Sequence, residues 1–333
     1  MAATLKDIAR ELNVSVSTVS RAITGKGYVN QELRKKIADT AKKLNYSTNV
    51  MPKNLRRRDM RTVALVLPDI SELFFSNITS AIDEILHKNG YSLLLCITGE
   101  SPERENEYLD FLCDGSVDGI IMATVSEKSS KLKKLITGDF PIVFIDNCPQ
   151  SELSYDCVIC DNSQAGYMAT ERLIMKGHKR IGIITGKLEE TTGFERLVGY
   201  KRALLKHEIE IDQSIIEVGD FKEKSGYNCM KRLLSGGRER ITAVIAASGK
   251  MTYGAIKAIC DSGLKIPEDI AIMGFDIHDP TGLITPGVTS IIQPEQEIGR
   301  LAANLVMARI TQNESLPKQR IVLEPSLVIR ASC

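Results

Sequence analysis

Four side chains near the start of the chain have the types and the spacing to bind the edges of DNA bases. They are Val16, Ser17, Ser20 and Arg21. Because residues one, three and four positions apart share a helical face, one helix would present all four. An arginine can donate two hydrogen bonds to guanine, a serine can bond to any base, and a valine can touch the thymine methyl group. The alternative is a helical hairpin with a solvated basic face, since basic side chains alone are weak evidence for DNA binding.

The residues around this segment predict two short helices separated by a tight turn. Thr4 offers a cap for the first helix, Asn13 can adopt the left-handed conformation that ends it, and Ser15 can cap the second helix. On the second helix Val19 and Ile23 face inward, which leaves the opposite side for DNA. Two helices this close in sequence cross steeply, as in a helix-turn-helix unit. The apolar face of the first helix consists of Leu5, Ile8, Ala9 and Leu12.

The distribution of charge favours DNA binding over the solvated hairpin. Residues 1–61 hold 14 Lys or Arg and 5 Asp or Glu, whereas the remaining 272 residues hold 29 Lys or Arg and 37 Asp or Glu. The nearly neutral total therefore hides a basic segment attached to an acidic body. A concentrated positive charge next to a base-reading helix is the electrostatic footprint of a DNA-binding head.

Beyond residue 62 the chain alternates between strand and helix patterns. Short aliphatic runs are separated by amphipathic stretches such as residues 78–90, in which Ile78, Ile82 and Leu86 make one stripe. This alternation predicts parallel sheets covered by helices on both faces, with enough strands for two such units. The predicted strands are 63–68, 91–97, 117–123, 141–146, 156–160, 180–185, 243–247 and 270–276.

Polar and aromatic side chains follow several of these strands. Ligands of open α/β sheets bind beyond the carboxyl ends of the strands, so these residues are candidates for a ligand site. Arg196 and Asp276 together can clamp hydroxyl or anionic groups, and aromatic rings can provide a flat wall. For Asp161, capping of the following helix is an equally good explanation. The candidate residues are Phe74, Phe75, Asp146, Asp161, Thr192, Arg196, Phe221, Ser248 and Asp276.

Several segments together resemble one protein family. The chain is similar to the lactose-repressor and galactose-repressor family of bacterial transcription regulators in TLKDIA at 4–9, VSVSTVSR at 14–21, LNY at 44–46, and the later segments DGIIM, GHKRIGIITG and IMGFD. The similarity runs essentially from end to end. It implies an α/β protein in which an all-α helix-turn-helix head is joined by a hinge to a bilobed body of the type I periplasmic-binding-protein fold with two parallel sheets.

The resemblance also implies domain boundaries. The head comprises residues 1–46, the hinge 47–61, and the effector-binding and dimerisation body 62–333. The chain is expected to cross between the two lobes of the body near residues 162, 291 and 323. Lobe 1 would then contain about 62–162 and 292–322, and lobe 2 about 163–291 and 323–333.

The resemblance further implies how the head binds DNA. A homodimer is expected to bind a pseudo-palindromic operator, and the hinge to form a helix there. Leu55 falls on the position whose side chain wedges into the minor groove, while the adjacent arginines neutralise phosphates. An ordinary interdomain linker with an incidental leucine is the alternative. The expected DNA contacts are Thr4, Ser15, Val16, Ser17, Ser20, Arg21, Asn30, Leu55 and Arg56.

The effector is expected to be a small polar metabolite bound between the lobes. Glu190 stands where purine-responsive relatives carry an arginine that faces the ligand, which argues against a purine. Ser248 and Gly249 replace the Asn-Asp pair of many sugar-responsive relatives, which argues against a hexose held in the usual way. Sugars, phosphosugars and other polar metabolites remain open, as does the direction of regulation.

Other classes of protein fit the sequence less well. A solute-binding protein would share the bilobed body but would need an export signal and would not need a basic head. An enzyme would need a catalytic group or a phosphate-binding loop, and neither motif is present. The CxxC of Cys157 and Cys160 lies in a predicted strand, without a second ligand pair. We therefore expect a cytoplasmic regulator with no cofactor, no metal, no catalytic residues and no membrane partner.

Overall fold

The computed structural model describes residues 5–24, 29–44, 60–138, 140–236, 240–279, 282, 285–311 and 317–333. The chain divides into two compact units, Met1–Arg58 and Asp59–Cys333. Three of the expected DNA contacts, Thr4, Leu55 and Arg56, lie outside the described residues.

The first unit is a bundle of α1 (Leu5–Glu11), α2 (Val16–Thr24) and α3 (Gln31–Lys43). Asn13 has a φ of 51° at the end of α1, as its side chain predicts. The Ser15 hydroxyl accepts a hydrogen bond from the Thr18 amide at 3.1 Å and so caps α2. The helix-turn-helix pattern of the sequence is therefore present. The small core consists of Ile8, Ala9, Val19, Ala22 and Ile37.

The second unit contains two six-stranded sheets, each covered by helices on both faces. Sheet 1 has the strand order β11-β5-β4-β3-β1-β2. Its strands are β1 (Thr62–Leu67), β2 (Ser92–Ile97), β3 (Gly119–Met122), β4 (Ile142–Ile145), β5 (Asp156–Cys160) and β11 (Arg320–Leu323). Its helices are α4 (Leu73–Lys88), α5 (Pro102–Cys113), α6 (Ser130–Thr137) and α11 (Glu295–Thr311). These elements form lobe 1.

Sheet 2 has the order β12-β10-β9-β8-β6-β7, and only the β10–β12 pair is antiparallel among the described strand pairs. Its strands are β6 (Ile181–Thr185), β7 (Ile216–Val218), β8 (Ala243–Ala246), β9 (Ala271–Phe275), β10 (Thr289–Ile292) and β12 (Ser326–Val328). Its helices are α7 (Asn162–Met175), α8 (Thr191–Lys206), α9 (Glu223–Leu234) and α10 (Gly249–Asp261), with a short 3-10 helix at Gln213–Ile215. These elements form lobe 2.

The chain passes between the lobes three times in the described structure. It leaves lobe 1 between β5 and α7, returns between β10 and α11, and crosses again between β11 and β12. The segment 320–328 therefore supplies one edge strand to each sheet. The sequence patterns did not predict these two strands, nor β7 and β10, because β7, β11 and β12 are exposed or only partly buried and β10 begins with two polar residues.

Burial on both faces explains the continuous aliphatic runs of the central strands. In β1, Val63 and Leu65 pack under α4 and α11, while Ala64 and Val66 pack on the opposite face, under α5 and α6. Successive strand residues point to opposite faces, so a strand covered on both sides needs apolar residues at every position. The same division separates the α7–α8 face from the α9–α10 face of sheet 2.

Two glycines let α7 and α8 touch through their backbones. A Cβ at Gly166 would lie 2.1 Å from the carbonyl oxygen of Arg196, and a Cβ at Gly199 would lie 2.0 Å from that of Ser163. Both distances are far below van der Waals contact, so larger residues would push the helices apart. This close packing fixes the part of α8 that carries Arg196.

Candidate functional site

The exposed side of α2 forms a candidate surface for reading DNA. Val19 and Ala22 are buried against the other two helices, whereas Val16 is 41% exposed and Ser17 and Arg21 are exposed. Ser20 is partly buried. The structure therefore places these sequence-predicted contacts on one face, as the helical spacing required. The side chain of Ile23, expected to face inward, lies outside the described residues.

Two further predicted contacts serve as helix caps in this unit. The Ser15 hydroxyl lies 2.7 Å from the Ser17 hydroxyl in addition to capping α2. The Asn30 side-chain oxygen Oδ1 accepts a hydrogen bond from the Glu32 backbone amide at 2.9 Å, at the start of α3. Both residues are exposed, so capping leaves part of each side chain open to a phosphate.

A cleft with a cavity volume of about 80 Å³ separates the two lobes of the second unit. The cleft lies at the carboxyl ends of strands from both sheets, where the alternating pattern predicted a ligand site. Its lining consists of Pro68, Asp69, Glu72, Phe74, Phe75, Glu100, Val125, Asp146 and Asn147 from lobe 1, and Lys187, Glu190, Thr192, Arg196, Phe221, Ser248, Lys250, Asp276 and Gln293 from lobe 2 and the adjoining crossing.

Arg196 is held rigidly at the base of the cleft. It is 4% exposed, and its guanidinium lies 4.6 Å from the centre of the Phe275 ring. Its Nε donates a hydrogen bond to Asn162 Oδ1 at 2.8 Å, and one terminal nitrogen donates to the Ala247 carbonyl oxygen at 2.6 Å. These partners are neutral, so the positive charge is oriented without being neutralised by them.

Asp276 lines the same cleft at the end of β9. Its carboxylate accepts hydrogen bonds from the Gln293 amide at 3.0 Å and from the Gln293 side chain at 2.8 Å. Thr192 is 3% exposed in the first turn of α8, and Ser248 caps α10 through the Met251 amide at 3.3 Å. The structure thus brings these three predicted polar residues to the same cavity as Arg196.

The aromatic candidates contribute to the cleft and to its support. The rings of Phe74 and Phe75 meet edge to face with centroids 4.9 Å apart, and both are largely buried in the core of lobe 1. Phe221 lies over Gly186, where a Cβ would come within 1.8 Å of its ring. Only the faces of these rings that line the cleft are available to a ligand.

Asp161 is not among the residues that line the cleft, although the sequence analysis included it as a candidate. Its carboxylate accepts a hydrogen bond from the Gln164 amide at 2.8 Å, and its own amide donates to the Leu323 carbonyl oxygen at 2.8 Å. The structure therefore favours the helix-capping explanation. An aspartate between a strand and a helix satisfies amides that the first helical turn leaves free.

Ion pairs across the cleft were missed by the sequence analysis. Lys250 of lobe 2 pairs with Asp69 of lobe 1. Glu100 of lobe 1 lies 3.5 Å from Lys187 and 3.2 Å from Lys222, both of lobe 2. Asp69 and Glu100 lie in the loops just after β1 and β2 of sheet 1, and this position was the available signal. The pairing itself could not be read from one sequence, since it depends on the closure of the lobes.

Glu127 makes a further contact between the lobes. One carboxylate oxygen accepts hydrogen bonds from the Thr191 amide at 2.7 Å and the Thr191 hydroxyl at 2.9 Å. Glu127 is 5% exposed, and burial raises the pKa of its carboxyl. A carboxylate of lobe 1 therefore occupies the positive N-terminal end of α8, the helix that carries Thr192 and Arg196.

Two cleft carboxyls hold protons unusually tightly. Burial raises the pKa of Asp146 to about 7, although the nearby Arg196 lowers it. Burial also raises the pKa of Glu72 to about 7, against the opposing effect of Lys250. Asp276 adds repulsion to both groups. The cleft therefore contains negative charge that the surrounding protein only partly compensates.

No group of three or more metal-binding side chains is present in the part of the chain that the structure describes. Within the same residues, no helix combines the length and the apolar character needed to cross a bilayer. The cysteines are free thiols, and Cys157 and Cys160 are buried in β5.

Family models match both units of the chain. Residues 4–49 match the model for bacterial regulatory proteins of the lacI family. Residues 60–325 match the model for periplasmic binding proteins and the sugar-binding domain of the LacI family. Together the two matches cover the head and nearly all of the body.

Individual relatives extend over the whole chain. The HTH-type transcriptional repressor PurR of Haemophilus influenzae (strain PittEE) is 33% identical over 334 residues, covering 99% of this chain and 98% of the relative. The ribose operon repressor of Haemophilus influenzae (strain ATCC 51907 / DSM 11121 / KW20 / Rd) is 34% identical over 331 residues, with the same coverage. A solved complex of the transcriptional regulator CelR with cellobiose has a TM-score of 0.76 and 31% identity, and covers 99% of this chain and 100% of that one.

Proposed function

Because this chain belongs to the LacI family of bacterial regulatory proteins, we propose that it represses transcription as a homodimer bound to a pseudo-palindromic operator. The observation that carries the DNA-binding part is the exposed face of α2 above its buried residues Val19 and Ala22. A single head covers one half-site, so a pair related by twofold symmetry suits a palindrome. A non-regulatory solute-binding role would leave the head without a purpose.

The first experiment tests the assignment of α2 as the base-reading helix. Arg21→Ala should weaken operator binding by about 1–3 kcal/mol if this arginine contacts a guanine. Arg10→Ala removes the same charge from α1, where Arg10 pairs with Asp7 at 3.7 Å, and serves as the control. Val16 and Ser17 substitutions should change which half-site is preferred. Equal operator affinities for the Arg21 and Arg10 variants at one salt concentration would contradict the assignment.

The hinge assignment, which lies outside the described residues, has its own test. Leu55→Ala should remove the bend in the operator and much of the specific affinity, while the weak, salt-sensitive binding by the neighbouring arginines persists. Circular-permutation gel shifts measure the bend directly. An unchanged bend would make residues 47–61 a passive linker.

We further propose that a small polar metabolite binds in the cleft and changes the operator affinity. The convergence of Arg196, Asp276, Thr192 and the aromatic rings at the strand ends supports this site. The cellobiose complex of the relative CelR supports a small-molecule ligand for this fold. The proposal assigns binding and no catalytic step to the cleft. Ligand and operator affinities should then be linked reciprocally, by about 1–3 kcal/mol.

The ligand site is tested by screening polar metabolites for thermal stabilisation and titrating the best one into variants. Arg196→Ala and Asp276→Ala should each lose binding. Arg202→Ala is the matched control, because Arg202 lies on the same helix but bonds to Gln164 and stacks on Tyr167 instead of lining the cleft. A ligand that binds both cleft variants as well as it binds the unmodified protein would refute this site. We expect the ligand to remain chemically unchanged after prolonged incubation with the protein. Conversion of the ligand into a product would instead show that the protein is an enzyme.

A further inference from the structure

The charged side chains that line the cleft are mostly acidic. Lys187, Arg196 and Lys250 are the cations among its described lining residues. The carboxylates are Asp69, Glu72, Glu100, Asp146, Glu190 and Asp276. Charged groups in a water-poor cleft interact strongly. The excess of carboxylates over cations therefore restricts which ligand charges the cleft can bind.

The cations of the cleft are already engaged by the protein. Lys250 pairs with Asp69, and Lys187 lies 3.0 Å from Glu190 and 3.5 Å from Glu100. Two nitrogens of the remaining cation, Arg196, are bonded to neutral oxygens as described above. An anionic ligand would have to break these lysine ion pairs, or it would have to bind through the remaining N–H groups of Arg196 alone.

Two carboxylates, by contrast, are left without hydrogen-bond donors. Within the described residues no group donates a hydrogen bond to the Asp146 carboxylate. Among the same residues, the nearest cation to Glu72 is the Lys250 ammonium at 4.0 Å, which is beyond hydrogen-bond distance. Both carboxylates line the cleft, so a ligand bound there can supply the hydrogen-bond donors that the protein does not. A ligand group that donates hydrogen bonds can therefore bind at these two carboxylates.

Carboxylates of the protein lie at two of the helix N-termini beside the cleft, those of α8 and α10. The first turn of α8 already faces Glu127, whose oxygen accepts from the Thr191 amide at 2.7 Å. At the start of α10, Glu72 Oε2 lies 3.8 Å from the position of a Cβ on Gly249. The Glu127 carboxylate thus occupies the site that the positive end of α8 would offer to a phosphate, and the Glu72 carboxylate beside the start of α10 would repel one.

We propose that the effector carries a protonated amino group, which binds against Asp146 and Glu72, and carries neither a phosphate nor a carboxylate. The class that fits is a compact amine with hydroxyl or further amine donors, such as an amino sugar or a short diamine. Arg196 and Asp276 orient the remaining polar groups. This inference rests on the proposed function, because it specifies the ligand of the same cleft.

The experiment compares ligands that differ only in charge. Matched sets are glucosamine, glucose and glucose 6-phosphate; galactosamine, galactose and galactose 6-phosphate; and putrescine, 1,4-butanediol and succinate. These are embedded in a library with equal numbers of cationic, neutral and anionic polar metabolites. Thermal shift of the full-length protein identifies binders, and calorimetry measures their affinities. The strongest binders should be amines, and an amine should bind about 10-fold or more tightly than its hydroxyl analogue.

Variants then locate the amino group. Asp146→Asn and Glu72→Gln should each weaken binding of the best amine about 10-fold or more, and should change binding of its hydroxyl analogue much less. Glu107→Gln, an exposed carboxylate on α5, is the control and should change neither. If the strongest binder is neutral or anionic and depends on Arg196, the inference is wrong and the proposed ligand site stands. If no member of the library binds, both are overturned.

Discussion

The raised pKa of Asp146 predicts that this residue lowers the stability of the ligand-free protein at neutral and alkaline pH. In the folded protein its pKa is about 7, against an ordinary value of 3.8. The folded state therefore binds the proton more tightly than the unfolded state between these values. Stability falls as the pH rises through this interval, and the full cost is present above about pH 7. Asp146→Asn removes the ionisable group and with it this dependence.

The size of the effect follows from the shift. A displacement of about three pH units corresponds to an upper limit of about 4 kcal/mol. The carboxylate faces a cleft that water can enter, so we expect about 1–2 kcal/mol after allowance for screening. Asp146→Asn should accordingly raise the thermal midpoint of the full-length protein by about 2–5 °C near pH 8 and leave it almost unchanged near pH 4.

A second Asp→Asn substitution provides the contrast. Asp156 is fully buried, but its carboxylate accepts hydrogen bonds from Arg309 at 2.9 and 2.8 Å and from the Gln319 amide at 2.9 Å. Asp156→Asn leaves a buried guanidinium without its anionic partner and should cost about 3–5 kcal/mol. Thermal denaturation of both variants across the pH range separates the two cases. Two results would refute the argument from buried charge. One is a loss of stability in Asp146→Asn near pH 8, and the other is a gain in stability near pH 4 as large as the gain near pH 8.

Three further substitutions test how the helices of the two units are held. Gly166→Ala places a Cβ 2.1 Å from the Arg196 carbonyl oxygen and should cost about 1–3 kcal/mol or more, with weaker effector binding, measured by thermal shift and calorimetry. Glu127→Gln should increase hydrogen exchange in the first turn of α8, because the amide of Thr191 loses a charged acceptor; unchanged exchange would show that the contact does not hold the lobes. Ser15→Ala should destabilise the head by about 1 kcal/mol through loss of the α2 cap, visible as lower helical content on heating, whereas Ser15→Gly should cost less.

The fold could be predicted where the chain buries residues periodically or continuously. The stripe of Ile78, Ile82 and Leu86 predicted α4, and all three side chains are fully buried there. The long aliphatic runs predicted the central strands, since both of their faces are covered. The edge strand β12 was not predicted because its residues Ser326–Val328 are exposed or only partly buried. Its sequence therefore shows neither a continuous apolar run nor a clear alternation of apolar and polar residues.

Residues of the candidate site could be predicted only where their position relative to a nearby strand or helix was enough to place them at the cleft. Asp276 directly follows β9, Arg196 lies in the helix that follows β6, and both line the cleft. Asp161 follows a strand end as well, but it caps α7, because the same position serves both purposes. The partners of Lys250 and Glu127 lie in the opposite lobe, far away in sequence. Such pairs depend on how the lobes meet, which local patterns do not encode.

The segment 320–328, which gives one edge strand to each sheet, has a consequence for how the protein is made. During synthesis on the ribosome the first five strands of sheet 1 emerge long before β11, and β10 emerges before β12. Until then β5 and β10 each present an unpaired edge, a site at which nascent chains can join incorrectly. Premature termination shortly before residue 320 would remove one edge strand from each sheet and so damage both lobes at once.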